Sequence, residues 1–214
     1  MAIAVSPPAQ APEVEVSPEE QAALLALARV AVAAAARGDV ERARQAALRA
    51  TRHGAPQDPR RGAAFVTLLE HGDLRGCIGL LDASRPLAES VAGAAVAAAL
   101  HDWRFRPVTE EELPDLEIEV SVLGPFIALA DPLTFRLGVD GLLVERGYDR
   151  GLLLPEVATE HGFGSRTMLQ AVCGKAGLPA DAWRDPRTRV SAFRTRHFGG
   201  PALPVRTTSD GAAR

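Results

Sequence analysis

Asparagine is absent from the chain, and Lys175 is its only lysine, against 23 arginines. Both scarcities fit a strongly GC-rich coding sequence. Lysines that arginine can replace should drift away under that pressure. An ammonium differs from a guanidinium in size and donor geometry, so the surviving Lys175 is a candidate for a specific role. The two cysteines, Cys77 and Cys173, lie far apart with no CxxC. They make neither a disulfide framework nor a zinc knuckle, and a reducing cytoplasm is the expected location. No apolar run is long enough to span a bilayer. Residues 1–12 are rich in Ala and Pro, without a basic start and apolar block, and do not read as a signal peptide. Five histidines (His53, His71, His101, His161, His197) show no HxH or HExxH spacing, so no metal site is expected. GxGxxG and GxSxG are missing. Gly174-Lys175-Ala176-Gly177 lies at a helix end with no following Ser or Thr, which excludes a phosphate loop. A net charge of −3 gives no support for broad nucleic-acid binding.

What is present reads as a folded α+β chain between two loose ends. Residues 1–16 are expected to be a disordered leader and 201–214 a flexible tail. Ser17-Pro18-Glu19-Glu20 is a helix start, with a hydroxyl cap, proline in the first turn and acids at the positive helix end. That helix should run to about Arg37, and a second, Arg-rich helical stretch is expected over 40–52. A β-hairpin follows, with strands over 63–70 and 74–80. A helix of small residues should then reach about His101, and 116–123 alternates as a strand. Residues 131–155 read as a compact β-rich region with strands over 135–139, 142–145 and 152–154. Helices over 155–161 and 165–175 come next, and 190–193 is a candidate last strand.

The most informative stretch is Leu74-Arg75-Gly76-Cys77-Ile78-Gly79, the returning strand of the hairpin. Side chains alternate along a strand. Leu74, Ile78 and Leu80 are therefore expected on a core face, with Arg75, Cys77 and Gly79 on the other. That places a guanidinium roughly 7 Å from a thiol, two strand residues away, where a positive neighbour favours a thiolate. Gly76 and Gly79 weaken a strand, so a close approach to the backbone is expected there, by a ligand if the glycines serve a site. Asp102-Trp103-Arg104-Phe105-Arg106-Pro107 follows a helix end. Asp102 and Arg104 either pair across a tight loop or leave Arg104 free to grip an anion. Glu117 and Glu119 share a strand face, most simply a solvated one. Cys173 reads as core.

These pieces, in this order, resemble the AMMECR domain family. The resemblance rests on Leu74-Arg75-Gly76-Cys77-Ile78-Gly79, then Asp102 with Arg104-Phe105 and Pro107, and Glu119-Val120-Ser121-Val122-Leu123. It continues through Gly138-Val139-Asp140-Gly141-Leu142, Arg150-Gly151-Leu152-Leu153-Leu154-Pro155-Glu156-Val157 and Lys175-Ala176-Gly177-Leu178. The resemblance implies an α+β fold over about residues 17–200. A larger subdomain would carry an antiparallel sheet and flanking helices, and a smaller β-rich subdomain, here 131–155, would leave a cleft between them. The family's biochemical activity is not established. The resemblance implies association with Memo-like proteins, similar to non-haem-iron extradiol dioxygenases, and with radical-SAM proteins. It names no cofactor for this chain.

Two readings follow. In the first the chain is an accessory or binding module, in which Arg75, Gly76, Gly79, Asp102, Arg104, Arg150 and Lys175 line a cleft for a small anionic ligand or a segment of a Memo-like partner. In the second it is an enzyme with Cys77 as nucleophile on a small anionic substrate, Arg75 favouring the thiolate and His71 or His101 acting as base. No membrane association is expected under either.

Overall fold

The structure is a computed structural model that describes residues 11–42, 45, 49 and 60–203. Its contacts divide the chain into two compact units. The first comprises Val16–Val122 and the segment from His197 onward, and the second comprises the segment up to Glu15 and Leu123–Arg196. The second unit is thus broader than the 131–155 region expected from the sequence.

In the first unit, helix α1 (Pro18–Ala36) begins as the sequence suggests, with the Ser17 hydroxyl accepting from the Glu20 amide at 3.2 Å. Residues 40–42, 45 and 49 are helical; the rest of the expected 40–52 stretch lies outside the described residues. Strands β1 (Ala64–Glu70) and β2 (Asp73–Leu80) form the hairpin. Its turn is the pair His71-Gly72, with φ of 55° and 89°. Two positive φ values in a two-residue loop suit the right-handed twist of the strands. Helix α2 (Leu87–Leu100) buries Val91, Ala94, Ala95 and Ala98 and packs against α1, β1 and β2. Strand β3 (Leu116–Leu123) pairs antiparallel with β1.

Register decides what each sheet face carries. Residues directly opposite in an antiparallel pair project from the same face. Val66 lies opposite Ile78 and Val120, and Leu68 opposite Gly76 and Ile118. This face packs on α2. A side chain at Gly76 would stand 2.4 Å from the Ala98 carbonyl oxygen, and one at Gly93 of α2 would stand 2.7 Å from Leu80. The other face carries Phe65, Thr67, Cys77, Gly79, Glu119 and Ser121. One expectation fails at the hairpin's outer end. Leu68 pairs with Gly76 but Leu69 pairs with Leu74, so Arg75 is an extra, bulged residue. The bulge reverses the alternation and turns Leu74 away from the core, leaving it 42% exposed.

The second unit is built on strands β4 (Ile127–Ala128), β5 (Gly141–Arg146), β6 (Asp149–Leu153) and β7 (Arg189–Phe193), in the order β4-β7-β5-β6. Helix α3 (Glu156–Glu160) is short. Helix α4 (Ser165–Lys175) buries Met168, Leu169, Val172 and Cys173 against Leu142, Val144 and Val190. Residues 135–139 are not a strand. Gly138 takes φ of 74°, and the buried Asp140 carboxylate accepts the Arg136 amide at 2.8 Å, which pulls the segment into a turn.

Ala11 and Ala202, which fall within the expected leader and tail, are buried. Ala11 lies in the second unit's core, and Val16 is 7% exposed. Strand β8 (Thr195–Pro201) joins the first sheet in the order β2-β1-β3-β8. Just beyond it, in the expected tail, the Ala202 amide donates to the Leu116 carbonyl at 2.7 Å. Residues 1–10 and 204–214 lie outside the described residues.

Candidate functional site at the edge of the hairpin

Strand β2 is an edge strand, and an edge leaves backbone groups unpaired. Here the segment 102–107 covers it. The Asp102 carboxylate accepts the Cys77 amide at 2.9 Å, and the Arg104 guanidinium donates to the Cys77 carbonyl at 3.5 Å. Further along, Arg75 donates to the Arg106 carbonyl at 2.9 Å and to the Pro107 carbonyl at 3.4 Å. As the segment rises from 102 to 107, its contacts descend β2 from 77 to 75. Side chains and carbonyls thus stand in for a missing antiparallel strand.

Arg75 is the clamp of this arrangement. Its Nε and Nη2 grip both carboxylate oxygens of Glu112 at 2.7 and 3.2 Å, and its side chain is only 12% exposed. The same Glu112 carboxylate accepts the Thr109 amide at 2.6 Å. Burial works to raise the Glu112 pKa, but Arg75 and the Thr109 amide outweigh it, and the net direction is down. The sequence expected Arg75 to serve the Cys77 sulfur; it is committed to a carboxylate and two carbonyls instead.

Asp102 is the second anchor. Its side chain is 2% exposed. Oδ1 accepts from the Arg104 amide at 3.2 Å and Nε at 2.9 Å; Oδ2 accepts Arg104 Nη2 at 2.7 Å besides the Cys77 amide. The Arg104 hydrogen bonds, opposed by burial and reinforced by the two amides, bring the Asp102 carboxyl down to about 2. The partner moves the other way, the Arg104 guanidinium being raised chiefly by Asp102. The loop-locking pair read from the sequence is therefore present. Arg104 still faces solvent, with its side chain 41% exposed and its guanidinium 5.3 Å from the centre of the Phe105 ring.

Cys77 is half-buried, and its Sγ receives a hydrogen bond from the Thr67 hydroxyl at 3.2 Å. Thr67 lies directly opposite Cys77 on β1. The outward direction of Cys77's amide marks a non-hydrogen-bonded pair, in which facing side chains come closest. A sulfur anion here would meet both the Thr67 hydroxyl and the positive field of Arg104, whose pKa is raised in part by Cys77. On the same face, Thr67 is opposite Glu119, and His197 of β8 stands between Ser121 (Nδ1 to Oγ, 3.1 Å) and Glu119 (Nε2 to Oε1, 3.6 Å).

The expected site residues thus divide. Arg75, Cys77, Asp102 and Arg104 come together. Gly76 and Gly79 permit close approach, but by the protein itself: the Ala98 carbonyl at Gly76 and the Phe65 ring, 2.3 Å from where a side chain at Gly79 would begin. Arg150 and Lys175 belong to the second unit. Arg150 donates from Nε to Glu145 at 2.9 Å, while Lys175 is exposed on the last turn of α4. His71 sits in the exposed turn and His101 caps α2. Burial raises the Cys173 pKa, as befits a core thiol with no exposure. No group of three or more His, Cys, Asp or Glu side chains suited to a metal occurs among the described residues. Sequence reasoning assigned no site role to Thr67, Glu112, Ser121 or His197. Only Glu112, three residues after Thr109, carried a local capping signal.

Comparison with known proteins agrees with the α+β fold and the family resemblance. The AMMECR1 family model matches residues 25–198. A protein of Methanothermobacter thermautotrophicus is 52% identical over 145 residues, covering 65% of this chain and 75% of its own length. Protein TK0174 of Thermococcus kodakarensis is 44% identical over 154 residues, covering 66% and 75%. The crystal structure of the uncharacterized protein PH0010 from Pyrococcus horikoshii is similar with a TM-score of 0.68 and 34% identity, covering 85% of this chain and 92% of that one.

Proposed function

The chain belongs to the AMMECR1 family, and on that premise we propose that it is an accessory or binding module working with Memo-like and radical-SAM partners. Its binding centre is the hairpin edge at Cys77, where Arg104 meets an anionic ligand or an acidic group of a partner. The observation that carries this reading is the mounting of Arg104. A buried carboxylate orients the guanidinium through Nε and Nη2. The remaining nitrogen, Nη1, has no hydrogen bond among the described residues. A preorganised guanidinium with a spare donor loses little freedom on gripping a carboxylate or phosphate. Arg104→Ala should weaken capture of a Memo-like protein at least tenfold in a titrated pull-down, with melting compared in parallel. Capture unchanged in a folded Arg104→Ala chain refutes the reading.

A second reading draws on the Thr67 hydrogen bond to sulfur. In it Cys77 is a nucleophile toward a small anionic substrate, its thiolate forming a C–S bond at a carbonyl carbon as the C=O π electron pair moves onto the carbonyl oxygen, while Arg104 holds the substrate's charge. Iodoacetamide should then alkylate Cys77 in the native protein much faster than Cys173, which has no exposure. Alkylation of Cys77 only after unfolding removes this reading.

A further inference from the structure

Trp103 is 91% exposed, although it sits on a turn with little freedom to move. The Phe105 amide donates to the Asp102 carbonyl at 3.0 Å, and the Val108 amide to the Ala99 carbonyl at 2.8 Å. Asp102 is anchored to Cys77, and Arg75 to the carbonyls of Arg106 and Pro107. The Phe105 ring packs near the guanidinium groups of Arg75 and Arg104, 6.0 and 5.3 Å from its centre. The backbone that carries the indole is therefore fixed, and the indole itself stands in water. An indole in water contributes no burial to folding. Tryptophan and arginine are the residues that most often dominate protein–protein binding energy.

We propose that Trp103, with Arg104 and Arg106, is a docking surface for an acidic peptide segment of a partner protein, one that sets an apolar side chain on the indole and a carboxylate on Arg104. This rests on the binding-module reading above and names the chemistry of its partner. Charge selects the occupant. The Arg104 Nη1 donor and the exposed Arg106 side chain have no carboxylate partner among the described residues. The neighbouring acids Glu110 and Glu112 are spent on Arg37 and Arg75. A peptide carrying one or two carboxylates among apolar groups matches this combination of an exposed indole and exposed guanidinium groups. A nucleic-acid strand offers phosphates but no isolated apolar side chain between them, and it enters the test as the competing occupant.

The test is a selection of random twelve-residue displayed peptides against the full chain, with affinities of the enriched peptides titrated by the anisotropy of a peptide-borne fluorophore on parent and variants, and contact with the indole read by the emission of Trp103 in a Trp183→Phe background. Enriched peptides should pair Asp or Glu with apolar residues and shift the Trp103 emission to shorter wavelength. They should lose at least tenfold in affinity on Trp103→Ala and on Arg104→Ala. Trp103→Ala removes a solvent-exposed side chain, so its melting should match the parent. Enriched peptides that lack acidic residues, or that bind equally to Trp103→Ala, overturn the proposal. So does an oligothymidylate that shifts the emission when the peptides do not. If binding survives Trp103→Ala but fails with Arg104→Ala, the docking surface is refuted while the binding-module reading stands. Binding that survives both variants refutes the two together.

Discussion

Asp102→Asn should expose how much the hairpin edge depends on one carboxylate. The replacement keeps the shape but cannot accept at every position. Asp102 takes four hydrogen bonds, from the Cys77 amide and from three Arg104 nitrogens. An amide group carries one acceptor oxygen and turns an NH2 toward the remaining donors. The carboxyl lies at about 2 in the folded protein against an ordinary 3.8. The gap of nearly two pH units corresponds to about 2.5 kcal/mol at roughly 1.4 kcal/mol per unit. The folded pKa is depressed, so this stability is fully present above pH 3.8 and is lost as pH falls through about 2. Urea unfolding of parent and Asp102→Asn should therefore differ by ~2 kcal/mol at pH 7. The difference should narrow between pH 4 and pH 2, where the parent protonates and comes to resemble its variant. A gap that stays constant from pH 7 to pH 2.5, or that is below about 0.5 kcal/mol at neutrality, refutes the reasoning.

Other perturbations separate the remaining claims. Gly76→Ala should cost about 3 kcal/mol in chemical denaturation, because the new methyl meets the backbone of α2, which cannot step aside alone. Gly79→Ala meets the Phe65 ring instead; its cost should be about 1–2 kcal/mol and should fall when Phe65→Leu is added. Arg75→Lys breaks the two-pronged grip on Glu112 and should lower stability by about 2 kcal/mol, although the charge is kept. His71→Asn should leave stability within about 0.5 kcal/mol or raise it, since asparagine tolerates positive φ better than most residues.

The chain's own chemistry determined the hairpin, its turn, the capped start of α1, the small-residue helix that seats on the sheet, and family membership. Each is written in contiguous residues whose local preferences agree with the final fold. Asp102 pairing with Arg104 was legible for the same reason, being two residues apart. Roles that depend on residues distant in sequence were not legible. Arg75 was read as a neighbour of sulfur until folding brought Glu112 beside it, 37 residues on. The glycines pointed to a close approach, but only packing showed that the approaching groups were Phe65 and the Ala98 carbonyl. Leu74 was assigned to the core by strict alternation, which a single bulged residue reverses. Thr67 and Cys77 became partners only through strand register. Alternation and capping act between near neighbours, whereas register, a bulge or a clamp across an edge is chosen by the free energy of the whole packed unit.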